Sequence, residues 1–410
     1  MNRTLDKLSF EDIKKAAKDF DGAIKHTPTN HSITLSKITG ADVYIKLENR
    51  QFTASFKERG ALNKLLNLTP EQQKKGVIAA SAGNHAQGVA YHGSRLGIPT
   101  TIAMPLGTPF VKISNTEALG AEVIQVGERF DETAEAALKI AKDRELTVVH
   151  PFDDFHVMAG QGTIAIEFLE DFPDLDILLV PVGGGGLIAG IATAAKAIKP
   201  DIKVIGVQSE RFPSLYRAFN DEDYIAQGST LAEGIAVKTI GKRTVEICKD
   251  VVDDILLVGE EEIEKALGML LTIEKTVSEG AGACPLAALI RYPDMFRGKK
   301  VGLVVTGGNI DTRLLASILM RSLVRDGRIT RLRIELPDIP GALSIISSII
   351  GNKGGNIIDV SHHRLFTELP AKETYSNITL ETRDAQHLQD ILEELREDGF
   401  VVNVNRNIDM

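Results

Sequence analysis

Short apolar runs alternate with helical patterns over a long part of the chain, from Gly76 to about Val207. The first segments of the series are GVIAAS at 76–81, NHAQGVAYHGSRLG at 84–97, TTIAMP at 100–105, a predicted helix ending at Gly120, and AEVIQVG at 121–127. This alternation is typical of βαβ units, whose strands form a parallel sheet. The sequence therefore predicts an α/β fold.

The same alternation returns further along the chain. Strands are predicted at 147–149, 177–182, 203–207 and 300–305, with a helix at 187–198. One α/β body is therefore predicted to cover most of the chain.

Near Arg325 the pattern changes, and this change predicts a linker. The segment that follows has its own strands at 331–336, Asn356–Arg364, Tyr375–Glu381 and Phe400–Val404, and helices at Gly341–Ile350 and Ala385–Arg396. The order βαββαβ is that of a ferredoxin-like unit. We predict a catalytic domain over 1–325, made of two α/β subdomains with the smaller at about 50–155, and a second domain over 326–410.

Composition excludes several classes of protein. The chain has 410 residues, and its net charge of −9 argues against nucleic acid as a partner. The two cysteines, Cys248 and Cys284, lack metal or redox spacing and indicate a reducing cytoplasm. The N-terminal segment 1–20 predicts an amphipathic helix rather than a signal peptide, and no apolar run has the length of a membrane span, so no membrane partner is expected.

The segment TASFKERGA, at 53–61, opens a predicted helix that continues through Leu66. Ser55 and Glu58 have the spacing of a capping box. Lys57 then lies in the first turn, where the positive end of the helix dipole favours the neutral amine that can form a Schiff base. A single lysine near a helix start is most often a surface residue, so this function requires partners elsewhere in the chain.

Two glycine-containing loops follow predicted strands. SAGNHAQG, at 81–88, can bind a carboxylate through backbone N–H groups at a helix start, while the Asn84 amide can donate to an oxygen on a ring; a simple turn is the alternative. The four glycines at 183–186 allow the backbone to wrap closely around an anion. Together with Ala189 and Glu210 they also satisfy a loose dinucleotide pattern, which keeps a nicotinamide enzyme open.

Two further motifs are weaker. In VTGGN, at 305–309, the Thr306 hydroxyl can hydrogen-bond a neutral ring nitrogen or cap a helix. In SEGAGA, at 278–283, the small residues either allow close packing or contact a cofactor. No metal is expected, because none of the nine histidines falls in a convincing ligand set, and no nucleophile elbow of a hydrolase is present.

Taken together and in this order, SFKERGA, SAGNHAQG, GGGGL, SEGAGA and TGGN resemble the threonine dehydratase and serine racemase family of fold-type-II pyridoxal-phosphate enzymes, over about 10–325. The resemblance implies pyridoxal 5′-phosphate as the cofactor and Lys57 as the catalytic lysine that holds it. The other residues that it assigns to the cofactor are Phe56, Asn84, Gly183, Gly184, Gly185, Gly186, Gly234, Glu279 and Thr306. Those assigned to the substrate are Ser81, Ala82, Gly83, Asn84 and His85.

Within that resemblance, Phe56 flanks the cofactor ring, Asn84 meets its phenolic oxygen, the glycines at 183–186 hold its phosphate, and Thr306 meets its nitrogen. The family usually carries serine at the position of Thr306, a change that keeps the hydroxyl. Serine racemases carry a serine at the position of Ala82, which argues against racemisation here. Some members bind a divalent ion through an acidic residue where this chain has Gln208, so divalent activation is not expected.

The C-terminal segment resembles an ACT domain, with DIPGAL at 338–343 matching a loop that binds small effectors. Dimerisation is an equally weighted alternative to sensing. We hypothesise that isoleucine or valine binds as an effector around Gly341 and Asn356, at an interface between two tails. A homo-oligomer, either a dimer or a tetramer, is expected.

The predicted function is elimination of the hydroxyl and then the amine from threonine, giving 2-oxobutanoate and ammonia, with serine as a second substrate. Lys57 acts as the base at Cα. Three alternatives stay open at this point: a serine racemase or a serine or hydroxyaspartate dehydratase, an NAD-dependent oxidoreductase, and a non-catalytic amino-acid sensor.

Overall fold

A computed structural model describes residues 7–220, 222, 228–363, 370 and 372–405 of the chain. The chain divides into two compact units, residues 1–310 and 311–410. Each unit has its own sheets and its own apolar core. The boundary that the sequence predicts near Arg325 stays a prediction.

The strands, numbered in chain order, are β1 (Thr29–Ser32), β2 (Asp42–Leu47), β3 (Val77–Ala80), β4 (Thr100–Met104), β5 (Glu122–Gln125), β6 (Thr147–Val148), β7 (Ile177–Pro181), β8 (Lys203–Ser209), β9 (Asp254–Val258), β10 (Lys300–Val305), β11 (Ile329–Pro337), β12 (Asn356–His363), β13 (Glu373–Glu381) and β14 (Val401–Asn405).

The helices are α1 (Phe10–Asp19), α2 (Ile33–Thr39), α3 (Lys57–Leu66), α4 (Pro70–Lys75), α5 (Asn84–Leu96), α6 (Phe110–Ala118), α7 (Phe130–Asp143), α8 (Phe155–Asp171), α9 (Gly186–Ile198), α10 (Ser214–Asn220), α11 (Lys242–Val251), α12 (Glu260–Thr272), α13 (Gly280–Arg291), α14 (Pro293–Phe296), α15 (Thr312–Arg325), α16 (Ala342–Asn352) and α17 (Ala385–Glu397). Short 3₁₀ turns cover Glu48–Arg50 and Glu233–Ile235.

The first unit contains two sheets. The larger has the order β1-β2-β10-β7-β8-β9, parallel except for the edge strand β1, and the smaller has the parallel order β5-β4-β3-β6. Their strands are rich in buried Val, Ile, Leu and Ala, as expected where helices cover both faces of a parallel sheet. The prediction of a parallel α/β body is confirmed.

Loops at the carboxyl ends of parallel strands carry the motifs. SAGN follows β3, the four glycines follow β7 and TGGN follows β10. In open α/β sheets, ligands bind beside the carboxyl ends of the strands. The order of strands therefore brings motifs that are far apart in sequence to ligand-binding positions.

Helix α3 lies against α8 at very short range. A methyl group at Gly60 would lie 2.8 Å from the carbonyl oxygen of Val157, and one at Gly160 would lie 2.4 Å from that of Arg59. Only glycine permits such an approach at either position. These contacts fix the start of α3, which carries Lys57.

Charged groups anchor the same helix from within the core. The fully buried Arg59 guanidinium donates to Glu48 at 2.7 Å and to Glu167 at 2.6 Å. The Lys46 ammonium group, also buried, lies 2.8 Å from Glu167. Buried charges of this kind are tolerated because they are paired and hydrogen-bonded.

The second unit is the predicted βαββαβ arrangement. Its antiparallel sheet has the order β12-β13-β11-β14, and the buried residues of α16, α17 and these strands form one aliphatic core. The sequence placed one strand over Asn356–Arg364; the structure gives β12 to His363, and Arg364 lies outside the described residues. The ferredoxin-like prediction is confirmed.

The N-terminal helix is α1, with its cap at Ser9; of the segment predicted for it, residues 1–6 lie outside the described part of the chain. Among the described residues, no helix has both the length and the apolar character needed to cross a bilayer.

Candidate active site

Lys57 is the first residue of α3, as the sequence predicts, and its side chain is half-buried. Its Nζ donates to the carbonyl oxygen of Pro151 at 2.9 Å and lies 5.1 Å from the centroid of the Phe56 ring. Burial lowers the pKa of Lys57 to about 8, while the negative charge of Glu279 opposes that shift. A large share of this amine is therefore neutral near pH 8, when it can act as a nucleophile or base.

The predicted capping box at the start of this helix is wrong. The N-cap is Phe56 in a helical conformation with no side-chain cap, and the Ser55 hydroxyl is buried without a hydrogen-bond partner among the described residues. The Glu58 carboxylate accepts instead from the backbone N–H of Thr53. Glu58 therefore braces the preceding loop rather than the N-cap.

That loop is bound to the TGGN loop by backbone hydrogen bonds. The N–H of Phe56 donates to the Thr306 carbonyl at 3.0 Å, and the N–H of Gly308 donates to the Ala54 carbonyl at 2.9 Å. Ala54 has φ of 55°, a left-handed conformation that costs a residue with a Cβ about 1 kcal/mol or more. The hydrogen bonds between the two loops keep Ala54 in this strained conformation, close in sequence to Lys57.

The SAGN loop begins α5, whose N-cap is Gly83. Ser81, Ala82, Gly83 and Asn84 are all partly exposed, and the first-turn N–H groups of a helix are available to an anion. A methyl group at Gly88 would lie 3.2 Å from the Lys57 carbonyl, so α5 packs directly on the start of α3.

His85 is not an acid or base at neutral pH. Its Nε2 lies 2.9 Å from the Val149 carbonyl oxygen, and burial, together with the positive charge of Lys57, lowers its pKa to about 3. The ring is therefore neutral and serves as a hydrogen-bond donor to the backbone.

The four glycines form the turn between β7 and α9. Gly185 has φ of +90°, and a methyl group at Gly184 would lie 2.2 Å from the Phe152 ring. The Thr244 hydroxyl donates to the Gly184 carbonyl at 2.9 Å, which fixes the turn from its other side. The loop has no room for side chains and leaves its backbone to contact an anion at the N-terminus of α9.

Glu279 reaches the SAGN loop. The Asn84 amide nitrogen lies 2.8 and 2.9 Å from its two oxygens, and Gly234 is close enough that a methyl group there would lie 3.3 Å from Glu279. Burial raises the pKa of Glu279 to about 7, while Asn84 and Lys57 lower it. The glycines of SEGAGA pack closely, because a methyl group at Gly280 would lie 2.2 Å from the Leu231 carbonyl oxygen.

Thr306, at the end of β10, is buried. Its carbonyl is used by Phe56, and within the described part of the chain no hydrogen bond engages its hydroxyl. A hydroxyl in this position can pair with a ring nitrogen, as the sequence predicts.

Several residues that shape this site were missed by sequence reasoning. His150, Pro151 and Phe152 follow β6. The His150 ring nitrogen Nδ1 accepts from the Asp153 N–H at 2.8 Å, and the Pro151 carbonyl accepts from the Lys57 amine. The Phe152 ring lies against Gly184. The sequence did contain a signal for them, because residues that directly follow a predicted parallel strand are candidates for a ligand site. Asn309 lies in the TGGN motif, although no role was predicted for its side chain, and Thr244 gave no comparable signal.

The residues named for other roles lie as follows. Gln208 is buried and satisfied, with its Oε1 accepting from Leu215 and Tyr216 at 2.9 Å. Gly341 is the N-cap of α16 and Asn356 begins β12, both in the second unit. No cluster of three or more His, Cys, Asp or Glu suited to a metal ion occurs among the described residues.

These features fit pyridoxal phosphate. The lysine amine has a depressed pKa, the glycine turn excludes side chains where an anion would bind, and the buried residue Thr306 carries a hydroxyl that can pair with a ring nitrogen. A parallel-sheet body with these loops defines the class of fold-type-II pyridoxal-phosphate enzymes.

Residues 20–307 match the family described as pyridoxal-phosphate dependent enzyme, and the chain belongs to that family. Residues 326–406 match the ACT domain. The cofactor, the enzyme class and the two-part architecture expected from the sequence are thereby confirmed, and an oxidoreductase that uses a nicotinamide cofactor has no support.

Known proteins resemble the chain over about three quarters of its length or more. An L-threonine ammonia-lyase of Thermotoga maritima is 44% identical over 399 residues, which is 97% of this chain and 99% of that protein. The solved processed form of threonine deaminase isoform 2 from Solanum lycopersicum is 33% identical with a TM-score of 0.73, over 79% of this chain and 92% of that one. The serine racemase of Dictyostelium discoideum is 34% identical with a TM-score of 0.69, over 74% and 99%.

Proposed function

We propose that this enzyme is a threonine ammonia-lyase, which converts L-threonine to 2-oxobutanoate and ammonia and also acts on L-serine. The observation that carries the proposal is the placement of Lys57. Its half-buried amine has a lowered pKa, α5 packs on its backbone, and the neighbouring Phe56 N–H donates to Thr306 of the TGGN loop. The name of the Thermotoga maritima relative, which covers almost the whole chain, supports the substrate.

Each loop is assigned one part of the cofactor. Lys57 holds it covalently beside Phe56, the backbone of Gly183–Gly186 binds its phosphate, and the Thr306 hydroxyl pairs with its ring nitrogen. The Asn84 amide would donate to the ring oxygen, and Glu279 and Gly234 would lie beside the ring. When bound, the cofactor withdraws electrons from Cα of the amino acid and so makes the Cα proton removable.

The substrate carboxylate is assigned to the backbone of the SAGN loop. Ser81, Ala82, Gly83 and the first N–H groups of α5 face a partly exposed region, and the helix dipole favours a negative charge there. His85, which is neutral, fixes the loop by its contact with Val149 and adds no charge of its own.

Lys57 is the base. Its Nζ takes the Cα proton when neutral, and the Pro151 carbonyl, 2.9 Å away, gives the released amine a fixed hydrogen-bond partner. The β-hydroxyl then takes up one proton and leaves as water, while a double bond forms between Cα and Cβ. The released enamine becomes an imine, which water hydrolyses to 2-oxobutanoate and ammonia. A hydroxyl at Thr306 rather than an acid leaves the ring nitrogen unprotonated, which favours rapid elimination over transamination.

Racemisation is the alternative that the similarity to serine racemases raises. Exchange of the Cα proton between faces requires a second acid or base opposite the lysine. Ala82 supplies none, and the His85 ring stays neutral. We therefore assign racemase activity at most a minor role.

The test is an assay of the purified enzyme on L-threonine, L-serine and hydroxyaspartate, with release of the 2-oxo acid as the readout. Lys57→Ala is expected to abolish turnover and the visible absorbance of the bound cofactor, while Lys74→Ala, an exposed lysine on α4, leaves both unchanged. Full activity of Lys57→Ala would overturn the role of this residue, and a parent enzyme inactive on threonine would overturn the substrate.

The ACT domain suggests a small-molecule effector. We assign 326–410 as the regulatory domain and 1–325 as the catalytic one, in a cytoplasmic dimer or tetramer, with isoleucine or valine bound near Gly341 and Asn356. Kinetics of the full chain with each amino acid test this assignment: Gly341→Val is expected to lose the response and keep basal turnover. A response unchanged by Gly341→Val would contradict the site.

A further inference from the structure

Three loops meet at the side chain of Asn84. Its Nδ2 lies 2.8 and 2.9 Å from the two oxygens of Glu279, and its Oδ1 accepts from Nδ2 of Asn309 at 2.7 Å. The same Asn309 nitrogen donates to the carbonyl of Thr53 at 2.9 Å. A continuous hydrogen-bonded series therefore runs from Glu279 through Asn84 and Asn309 to the loop that precedes Lys57.

The partners of Asn84 determine which way its amide points. Above pH 7 the ionised Glu279 carboxylate only accepts hydrogen bonds, and the Asn309 amide nitrogen only donates them. Rotation of the Asn84 amide by half a turn would bring oxygen against the carboxylate and nitrogen against nitrogen. Both contacts would be unfavourable, so Asn309 and Glu279 jointly select one orientation.

The selected orientation leaves a donor available. The two oxygens of one carboxylate are close together, so a single N–H directed between them accounts for both contacts with Glu279. The second N–H of Asn84 is then free to meet an acceptor. Asn84 is partly exposed, which allows a ligand to reach that N–H.

We propose that Asn309 is a positioning residue: it orients the Asn84 amide so that an N–H, and not the carbonyl oxygen, faces the oxygen of the cofactor ring. The proposal rests on the assignment of Asn84 to the cofactor made above. Asn309 is itself exposed, so it contributes little to the apolar core and its substitution should leave the fold intact.

The decisive substitution is Asn309→Asp, which keeps the shape and replaces the donor with acceptors. A carboxylate at this position faces the Asn84 oxygen and the Thr53 carbonyl, so it repels both and favours the reversed amide. Asn309→Ala removes the donor without adding an acceptor. Asn30→Asp, an exposed asparagine on β1, is the control with the same change in charge.

Two properties of the full chain are measured: the absorption maximum of the bound cofactor, and the affinity with which chain freed of the cofactor rebinds it. Asn309→Ala is expected to weaken binding by about 3- to 10-fold and Asn309→Asp by more than 10-fold, as for a lost hydrogen bond and an opposed acceptor. Both variants shift the absorption maximum, and Asn30→Asp matches the parent.

The proposal is tested by which of the two variants loses more cofactor affinity. A merely structural Asn309 would be most affected by loss of its side chain, so an alanine variant as impaired as the aspartate variant overturns the proposal. Parent-like absorption and affinity in Asn309→Asp overturn it as well. Should the aspartate variant fail to fold, the alanine variant alone still tests the proposal, because an unchanged absorption maximum contradicts it.

Failure of this proposal and failure of the proposed function give different results. A parent enzyme that binds the cofactor at Lys57 but does not act on threonine leaves the role of Asn309 testable by the same spectra. If the parent binds the cofactor and acts on threonine while Asn309→Asp behaves like the parent, only the role of Asn309 is refuted.

Discussion

The two units of this enzyme use polar groups in different ways. The first unit buries charges and joins loops that are distant in sequence, as in the Arg59 cluster and the hydrogen bond between Asn84 and Glu279. The core of the second unit consists of aliphatic side chains such as Ile346 and Ile391. Chemistry at a site needs groups held in fixed polar environments, whereas a small antiparallel unit needs only an apolar core.

Two glycines, one from each unit, are required for different physical reasons. Gly184 is required because its backbone touches the Phe152 ring, whereas a methyl group at Gly341 would contact nothing within 4 Å. Gly341 is required for its left-handed φ of +90° alone. Close approach thus accounts for the glycine at position 184, and backbone conformation accounts for the glycine at position 341.

The largest contrast is expected between two lysines. Burial lowers the pKa of Lys57 to about 8, whereas a hydrogen bond to Glu394, at 2.7 Å, raises the pKa of Lys353. Acetylation of chain freed of cofactor, followed by mass spectrometry across pH, should show a midpoint near pH 8 for Lys57 and above 10.5 for Lys353. At pH 8 about half of Lys57 should be neutral, a far larger share than of Lys353.

The same shift affects stability. Because the fold disfavours the protonated amine, Lys57 costs stability below pH 8, and the cost disappears as pH rises from 8 toward 10.5. Equal acetylation midpoints for the two lysines would remove the contrast.

Arg59→Met should give the next largest effect. It leaves the buried Glu48 carboxylate without its partner, and we expect unfolding to become easier by about 3 to 5 kcal/mol. Denaturant unfolding measures the change. Arg129→Met, which breaks an exposed pair with Glu132, is the control and should cost less than about 1 kcal/mol. Equal losses of unfolding free energy in the two variants would show that burial does not increase the contribution of the Arg59 ion pairs to stability.

Ile346→Ala tests the aliphatic core of the second unit. Ile346 is fully buried, so the truncation should cost about 2 to 4 kcal/mol, measured by denaturant unfolding followed by a probe in that unit. The neighbouring Ile345 is 52% exposed, and Ile345→Ala should cost little. If the two variants lose similar stability, packing in this unit does not depend on burial as described.

Gly341→Ala should have the smallest effect, about 1 to 2 kcal/mol, from backbone strain at positive φ with no steric clash. Thermal unfolding provides the measurement. Gly351→Ala, in the last turn of α16 with open space around it, should instead gain about 0.5 to 1 kcal/mol. A loss at both positions would indicate contacts that the structure does not contain.

Much of the fold followed from the sequence because hydrophobic period and turn chemistry are local signals. The alternation from Gly76 onward located β3, β4, β7 and β8 to within a few residues. The ordered motifs also indicated the cofactor, since each loop type is matched to one part of that ligand. The strands β1, β2 and β9 were not predicted.

Tertiary structure decided which groups meet. Ser55 and Glu58 had the spacing of a capping box, yet the contacts between their loop and TGGN turned Glu58 toward Thr53. Phe152 over Gly184, the Pro151 carbonyl beneath the Lys57 amine, and Asn309 beside Asn84 all join residues that are far apart in the chain.

The sequence by itself determined the class of fold, the catalytic lysine proposed here and the types of loop around it, because each depends on residues within a short segment. Only the tertiary structure decided the pKa of Lys57, the partner of Glu279 and the orientation of the Asn84 amide. These properties depend on burial and on distances between separate loops, which no local pattern encodes.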